Sequence, residues 1–339
     1  MTTERIHRRV CVAVLGAACG LALPCAAELV YYLPFDNGST ATLTNYGSVG
    51  GTGTAVTVSG ATPAPSTDMY TNLWGSHSEY FPMTANGQQG GRIDLPNSTN
   101  QLRLTTSGDE MTIVLWLKWK GPDSRSDMAT QGIVSTLPGS LNTGWAFTIY
   151  SSGALGVNIA GGGRNTTVAI TSNEWTHIAM TWKSQNPWGD TLKFYINGQI
   201  AADNLGGFGP ASAIANTETI RLGNLPGTWF PVNGTMDDVG LYDKRLTSGK
   251  IRALYTAPGV VKGLNLGIMN QLFTLYDAAT GTTTITLGGK QKTWRYATGL
   301  TGHAAGDTWT DGTGAVYIQL DAANTGVKYV PSGTAMCLY

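Results

Sequence analysis

Two carboxylates set roughly 5–9 Å apart across a cleft are what glycoside hydrolysis needs, so the acids come first. Past residue 27 the chain has five glutamates, Glu28, Glu79, Glu110, Glu174 and Glu218. None has a second acid two residues away, so no strand would present a pair on one face. Asp237 and Asp238 are adjacent; on a strand they face opposite sides, which favours a structural role in closing that strand. His77, His177 and His303 are far apart, with no second ligand at metal spacing. A nucleophile elbow and a phosphate loop are both absent, and Gly161-Gly162-Gly163-Arg164 reads as a hairpin tip. No catalytic residue is expected, and no enzyme.

Binding chemistry fares better. Sugar rings lay their C–H faces on exposed aromatics beside amide and carboxylate hydrogen-bonders. Trp188, with Asn186, lies in a polar loop over residues 184–190, and Trp229, with Asn224, in a second loop over residues 224–231. These four are the candidate ligand-binding residues. For a metal, only calcium has suitable oxygen ligands, from Asp36, Asn37 and Asp237; otherwise no cofactor is expected.

The elements that must position these loops are strands. Over residues 176–183, Ile178, Met180 and Trp182 alternate with His177, Ala179, Thr181 and Lys183. Leu192, Phe194 and Ile196 then alternate with Lys193 and Tyr195, the period of two of a half-buried strand. Asn197-Gly198 tolerates the positive φ of a tight hairpin, so residues 199–202 should return as a third strand. Residues 111–120 are apolar on both faces, as in the middle of a sandwich, and Trp116, like Trp182, is expected in the core. Further short strands are expected at residues 29–36, 91–96, 132–136, 145–150, 155–159, 166–171, 219–222 and 232–242. Residues 246–255 break the pattern: Thr247 or Ser248 can cap a short helix with Ile251, Leu254 and Tyr255 on one face.

Composition agrees. Charged residues make up only 12% of 339, with 45 glycines and zero formal net charge, which suits a turn-rich β protein. Nothing points to nucleic acid or an anionic membrane. Residues 1–27 read as a signal peptide: Arg5, Arg8 and Arg9, an apolar run over residues 10–23, then Pro24-Cys25-Ala26-Ala27. That run is too short for the roughly 20 residues a membrane span needs. The expectation is export to the periplasm, cell surface or medium, without membrane insertion after cleavage. Three of the four cysteines lie in this leader, leaving Cys337 with no partner for a disulfide.

The order of residues 112–118 (TIVLWLK), 174–179 (EWTHIA), 192–198 (LKFYING) and 233–246 (NGTMDDVGLYDKRL) resembles the concanavalin A-like, laminin-G-type jelly-roll family. Ile251-Arg252-Ala253-Leu254-Tyr255 is similar to its end, and Leu33-Pro34-Phe35-Asp36 to its first strand. The resemblance covers roughly residues 29–257. It implies a sandwich of about 12–14 strands that binds glycans or proteins, with calcium at the rim of some members; Gly90-Gly91-Arg92 stands where many relatives carry an acidic loop. It also implies a structural place for His177.

The fold expected is therefore mainly β, an antiparallel two-sheet jelly-roll sandwich over residues 28–258 with a small C-terminal α+β appendage over residues 259–339. In the appendage a helix is expected near residues 268–276, a hairpin over residues 282–296, and a strand at residues 315–320. The function expected is a non-catalytic module for a polysaccharide or surface glycoprotein. The alternatives are a structural or protein-adhesion module and, behind it, a carbohydrate-active enzyme.

Overall fold

The structure is a computed structural model. It describes residues 29–70, 76–84, 87, 89–96, 102, 108–122, 129–137, 144–159, 162–183, 191–203, 205, 218–225, 230–256, 282–287, 290–299, 301–302, 308–310, 316–319 and 325–329. The leader, the helix expected near residues 268–276, and Trp188, Asn186 and Trp229 lie outside these residues.

Among the described residues sixteen strands precede the helix. They begin with β1 (Leu29–Leu33), β2 (Leu43–Thr44), β3 (Thr52–Val56), β4 (Ala64–Ser66), β5 (Ser78–Phe81) and β6 (Arg92–Leu95). The middle of the domain is β7 (Glu110–Trp119), β8 (Thr130–Ser135), β9 (Trp145–Tyr150), β10 (Ala154–Ile159) and β11 (Gly162–Ala169). It closes with β12 (Trp175–Lys183), β13 (Thr191–Ile196), β14 (Gln199–Ala202), β15 (Ile220–Leu222), β16 (Gly234–Tyr242) and helix α1 (Ser248–Thr256).

The first sheet runs β14-β13-β12-β7-β16-β5-β4, with β1 also on β16, and the second runs β11-β10-β9-β8-β15-β6-β3-β2. All the ladders are antiparallel. Alternation makes the core: Met111, Ile113, Leu115 and Leu117 of β7 meet Trp145, Phe147 and Ile149 of β9 in one buried cluster with Ile178, Met180 and Trp182. Asn197 (φ 49°) and Gly198 (φ 73°) form the expected turn. Thr247 caps α1: its Oγ1 accepts from the Lys250 amide at 3.2 Å and its carbonyl from the Ile251 amide at 3.0 Å.

Two expectations are corrected. Gly162-Gly163-Arg164 is no hairpin tip but part of β11, paired with Ile159, Asn158 and Val157. Trp116, expected in the core because β7 is apolar on both faces, falls on the outer face with His177 as its register partner.

Beyond α1, β17 (Thr282–Leu287), β18 (Lys290–Thr298), β19 (Thr308–Thr310), β20 (Val316–Gln319) and β21 (Thr325–Tyr329) form a separate antiparallel sheet, in the order β17-β18-β21-β20-β19. The expected hairpin is β17–β18.

Candidate ligand-binding site

The outer face of the first sheet has a covered half and an open half. Over the covered half, Ile251 of α1 and Leu246 just before it pack against Val114, Ala179, Tyr195 and Tyr242. His177 is 1% exposed there, with Trp116 at 5.3 Å and Tyr255 at 5.9 Å between ring centroids. Burial lowers its imidazole to about 3, so it is neutral, and Nδ1 has no partner. Its own amide and carbonyl bind Asn197, at 3.0 and 2.7 Å, pinning the turn to the sheet. The structural place implied for His177 agrees with this.

A clasp joins the covered half to the open one. β16 bulges between Asp237 and Gly240, and Asp238 takes φ 48°. That bulge breaks the simple alternation expected of two adjacent aspartates. The hydroxyls of Tyr32 and Tyr70 each donate to Asp238, to Oδ1 and Oδ2, both at 2.6 Å. Burial first, and then the Asp238 charge, push both phenols well above 10. Asp237 is buried, and its Oδ1 accepts from the Asp238 amide at 2.8 Å. Tyr70 is thereby laid flat on Trp116, centroids 4.2 Å apart and planes 3° from parallel.

In the open half, register lines up Trp175, Lys118, Thr235 and Tyr80 across four strands. Asp68 accepts from Trp175 Nε1 at 3.1 Å and from Lys118 Nζ at 2.8 Å. Burial pushes its carboxyl up, but the bonds from Lys118 and Trp175 outweigh that and hold it below the ordinary value. Lys120 Nζ lies 3.9 Å above the Tyr80 ring.

A concavity lies at the sandwich edge, where the chain leaves β1. Leu33, Pro34, Phe35 and Leu43 line it with Asp36, Asn37, Thr44 and Tyr46. Phe35 is buried with φ 54°, a left-handed conformation that costs an aromatic residue strain. Tyr46 is 48% exposed, the largest value among the exposed large hydrophobics described. Asp36 Oδ1 accepts from the Ser76 amide at 3.0 Å, and Asn37 binds the Ser39 amide and the Thr42 carbonyl. An apolar floor, a flat exposed ring and a few polar groups are the makings of a small-ligand site.

Of the loop candidates, only Asn224 is described. It is fully buried, and neither polar atom of its side chain has a partner. It was expected on an open loop, but residues 223–225 run across the outer face of the second sheet. Asn224 presents its carbonyl to Ser135 Oγ at 2.9 Å and crosses directly over Gly132, where a Cβ would come within 2.6 Å of its backbone. Asn224 therefore holds its loop down. Phe230, at the other end of that loop, is 38% exposed. The calcium candidates divide: Asp36 and Asn37 are at the pocket, whereas Asp237 is buried on the sheet. Among the described residues no group of three or more His, Cys, Asp or Glu is placed to hold a metal. Sequence reasoning missed Tyr46, which sits in a Gly/Thr/Ser tract without periodicity, and the Trp175–Tyr80 row, which only register assembles.

Two eight-stranded antiparallel sheets packed face to face define a β-sandwich of jelly-roll type. A laminin-G-type family model, described as the concanavalin A-like lectin/glucanases superfamily, matches residues 86–252, most of the sandwich. No curated protein sequence matches the chain. Among solved structures it is similar to domain 4 of AbnA, a GH43 extracellular arabinanase from Geobacillus stearothermophilus, in complex with arabinotriose. The identity is 19% and the TM-score 0.45, over 68% of this chain and 98% of that one. It is similar also to the CBM40 of the Ruminococcus gnavus IT-sialidase bound to α2,3-sialyllactose, at 19% identity and TM-score 0.40, over 52% and 97%. A botulinum neurotoxin type C structure, whose cell entry depends on two ganglioside molecules, gives 13% and 0.48, over 86% and 69%. Likeness at this level bears on neither the ligand nor the mechanism of this chain. No helix among the described residues is long and apolar enough to cross a membrane.

Proposed function

We propose that this chain is an exported, non-catalytic module that binds a polysaccharide or a surface glycoprotein, with the edge pocket as its contact. The observation that carries the reading is Tyr46, a half-exposed ring at an apolar concavity that also has Asp36 and Asn37 in its lining. A sugar ring has an apolar C–H face and a hydroxyl rim, and such a pocket offers a surface to each. Trp188 with Asn186, and Trp229, are further candidates for stacking surface in this reading. Cleavage after Ala27 delivers the module outside the cytoplasm.

Affinity electrophoresis of the purified chain against a panel of neutral polysaccharides tests it. At least one is expected to retard the wild type, and Tyr46→Ala is expected to weaken that retardation at least tenfold. Tyr46 is exposed enough for its loss to leave folding intact, which circular dichroism checks. Retardation by none of the panel, or equal retardation of wild type and variant, would overturn the pocket as the site.

A further inference from the structure

We propose that the open half of the first sheet's outer face is a second binding surface, one for acidic polysaccharides. It is separate from the Tyr46 pocket and does not depend on it. Anionic oxygens would be taken by Lys118 and Lys120, and sugar faces by Trp175 and Tyr80.

The arrangement is particular in a chain with so few charges. Lys118 and Lys120 lie two residues apart at the end of β7 and so face the same side. Rings flank them: Trp175 is the register partner of Lys118, and Tyr80 lies under the Lys120 ammonium. Lys120 is exposed and forms no ion pair among the described residues; its ammonium lies over the Tyr80 π face and acts on the Asp68 charge only at a distance. Lys118 does have a carboxylate, Asp68, but that side chain is 47% exposed. An ion pair this open to water is worth little, so an incoming anion can take over the ammonium at small cost. Asp68 would keep its bond from Trp175 Nε1, which leaves the indole in place.

A cation over a ring attracts an anion without losing the ring. The rings distinguish this surface from a bare basic patch, since a polysaccharide offers them C–H faces and an inorganic anion does not. Carboxylate and sulfate ester share the recognised feature, an anionic oxygen within reach of two ammoniums. Salt should weaken the contact, because both ammoniums lie near bulk water.

The test uses the purified full chain with polygalacturonate as the carboxylated probe, dextran sulfate as the sulfated one, and unmodified dextran as the neutral comparator. Titration calorimetry at low and at 0.5 M salt should show binding to one or both acidic probes, weakened at least tenfold by salt. Lys120→Ala should weaken it five- to tenfold, and Lys120→Glu should abolish it. Lys193→Ala removes the same charge from the same face at its far side, where Lys193 is paired with Asp203 and its side chain is as exposed as that of Lys118; it should bind as wild type. Which acidic probe binds identifies the anionic group. Binding to neither probe, or equal loss in Lys193→Ala and Lys120→Ala, would overturn the proposal. So would equal binding of polyglutamate, which would reduce the surface to simple charge. Tyr46-dependent binding of a neutral polysaccharide is untouched by any of these results.

Discussion

The two faces of the first sheet are both largely buried, yet they are held in different ways. Inward, Met111, Ile113, Leu115 and Leu117, Ile178, Met180 and Trp182, and Met236, Val239 and Leu241 meet the second sheet mainly through apolar area, beside one buried bond from Trp119 Nε1 to Gln131 at 2.9 Å. Outward, directional contacts add to the apolar packing beneath α1: two phenols on one carboxylate, a tyrosine stacked on a tryptophan, an indole N–H on Asp68. Apolar contact is indifferent to partner and can seal a surface completely. Directional contacts fix particular atoms and leave neighbouring ones in water, which is why the outer face, and not the inner, retains groups that a ligand can reach.

One strand carries the sharpest form of this contrast. Trp175 and Trp182 are seven residues apart on β12 and therefore face opposite ways. Trp182 is fully buried in the core. Its replacement by alanine should cost about 3–5 kcal/mol of stability by urea unfolding, the loss of a large core side chain plus the cavity it leaves. Trp175→Ala gives up a half-buried ring and one exposed hydrogen bond, and should cost roughly 1–2 kcal/mol. Equal costs would mean that the outer aromatic pile is core in all but position.

Each face also holds one buried ionisable group without a full set of partners, and the two act in opposite directions on pH. Glu79, the register partner of Met236, is 1% exposed with Oε1 unpaired, and burial raises its carboxyl from 4.5 to about 8. A folded pKa above the unfolded one gives stability that is whole below pH 4.5 and lost as pH rises to about 8. The slope is about 1.4 kcal/mol per pH unit. His177, lowered from 6.5 to about 3, gives stability that is whole above pH 6.5 and lost as pH falls toward 3. Between pH 4.5 and 6.5 the two slopes oppose. Stability should therefore be level there and decline from pH 6.5 to 8, and Glu79→Gln should abolish the decline. A wild-type profile flat to pH 8 would show that Glu79 is hydrated in the native state.

Much of this was legible in the residues, for stated reasons. The β12–β13–β14 meander follows from strict alternation and the Asn197-Gly198 turn, and the start of α1 from Thr247. Both signals are local, and both hold. What local signals leave open is which face of a strand apolar on both sides turns inward, so Trp116 was expected in the wrong place. Register across four strands, which brings Trp175, Lys118 and Tyr80 together, has no local signature at all. The bulge at Asp238 breaks alternation where alternation was the premise. Asn224 turns on a loop crossing over Gly132, a close approach between residues 92 positions apart. Tyr46 needed the strand ends around it before it could be seen as part of a pocket.

The smallest effect expected separates holding from binding on the outer face. Lys118 and Asp68 form an exposed ion pair, at 24% and 47% side-chain exposure, and such pairs contribute about 0–1 kcal/mol. Asp68→Asn keeps an acceptor for Trp175 Nε1 and removes only the charge. It should change the urea midpoint by no more than an equivalent of about 0.5 kcal/mol, and by less still in salt, where the pair is already screened. The same substitution frees the Lys118 ammonium, so polygalacturonate or dextran sulfate should bind more tightly, not less. A loss of stability well above 1 kcal/mol would place Asp68 among the groups that hold the aromatic pile together. The open half of the face would then be structure in the same sense as the half beneath α1.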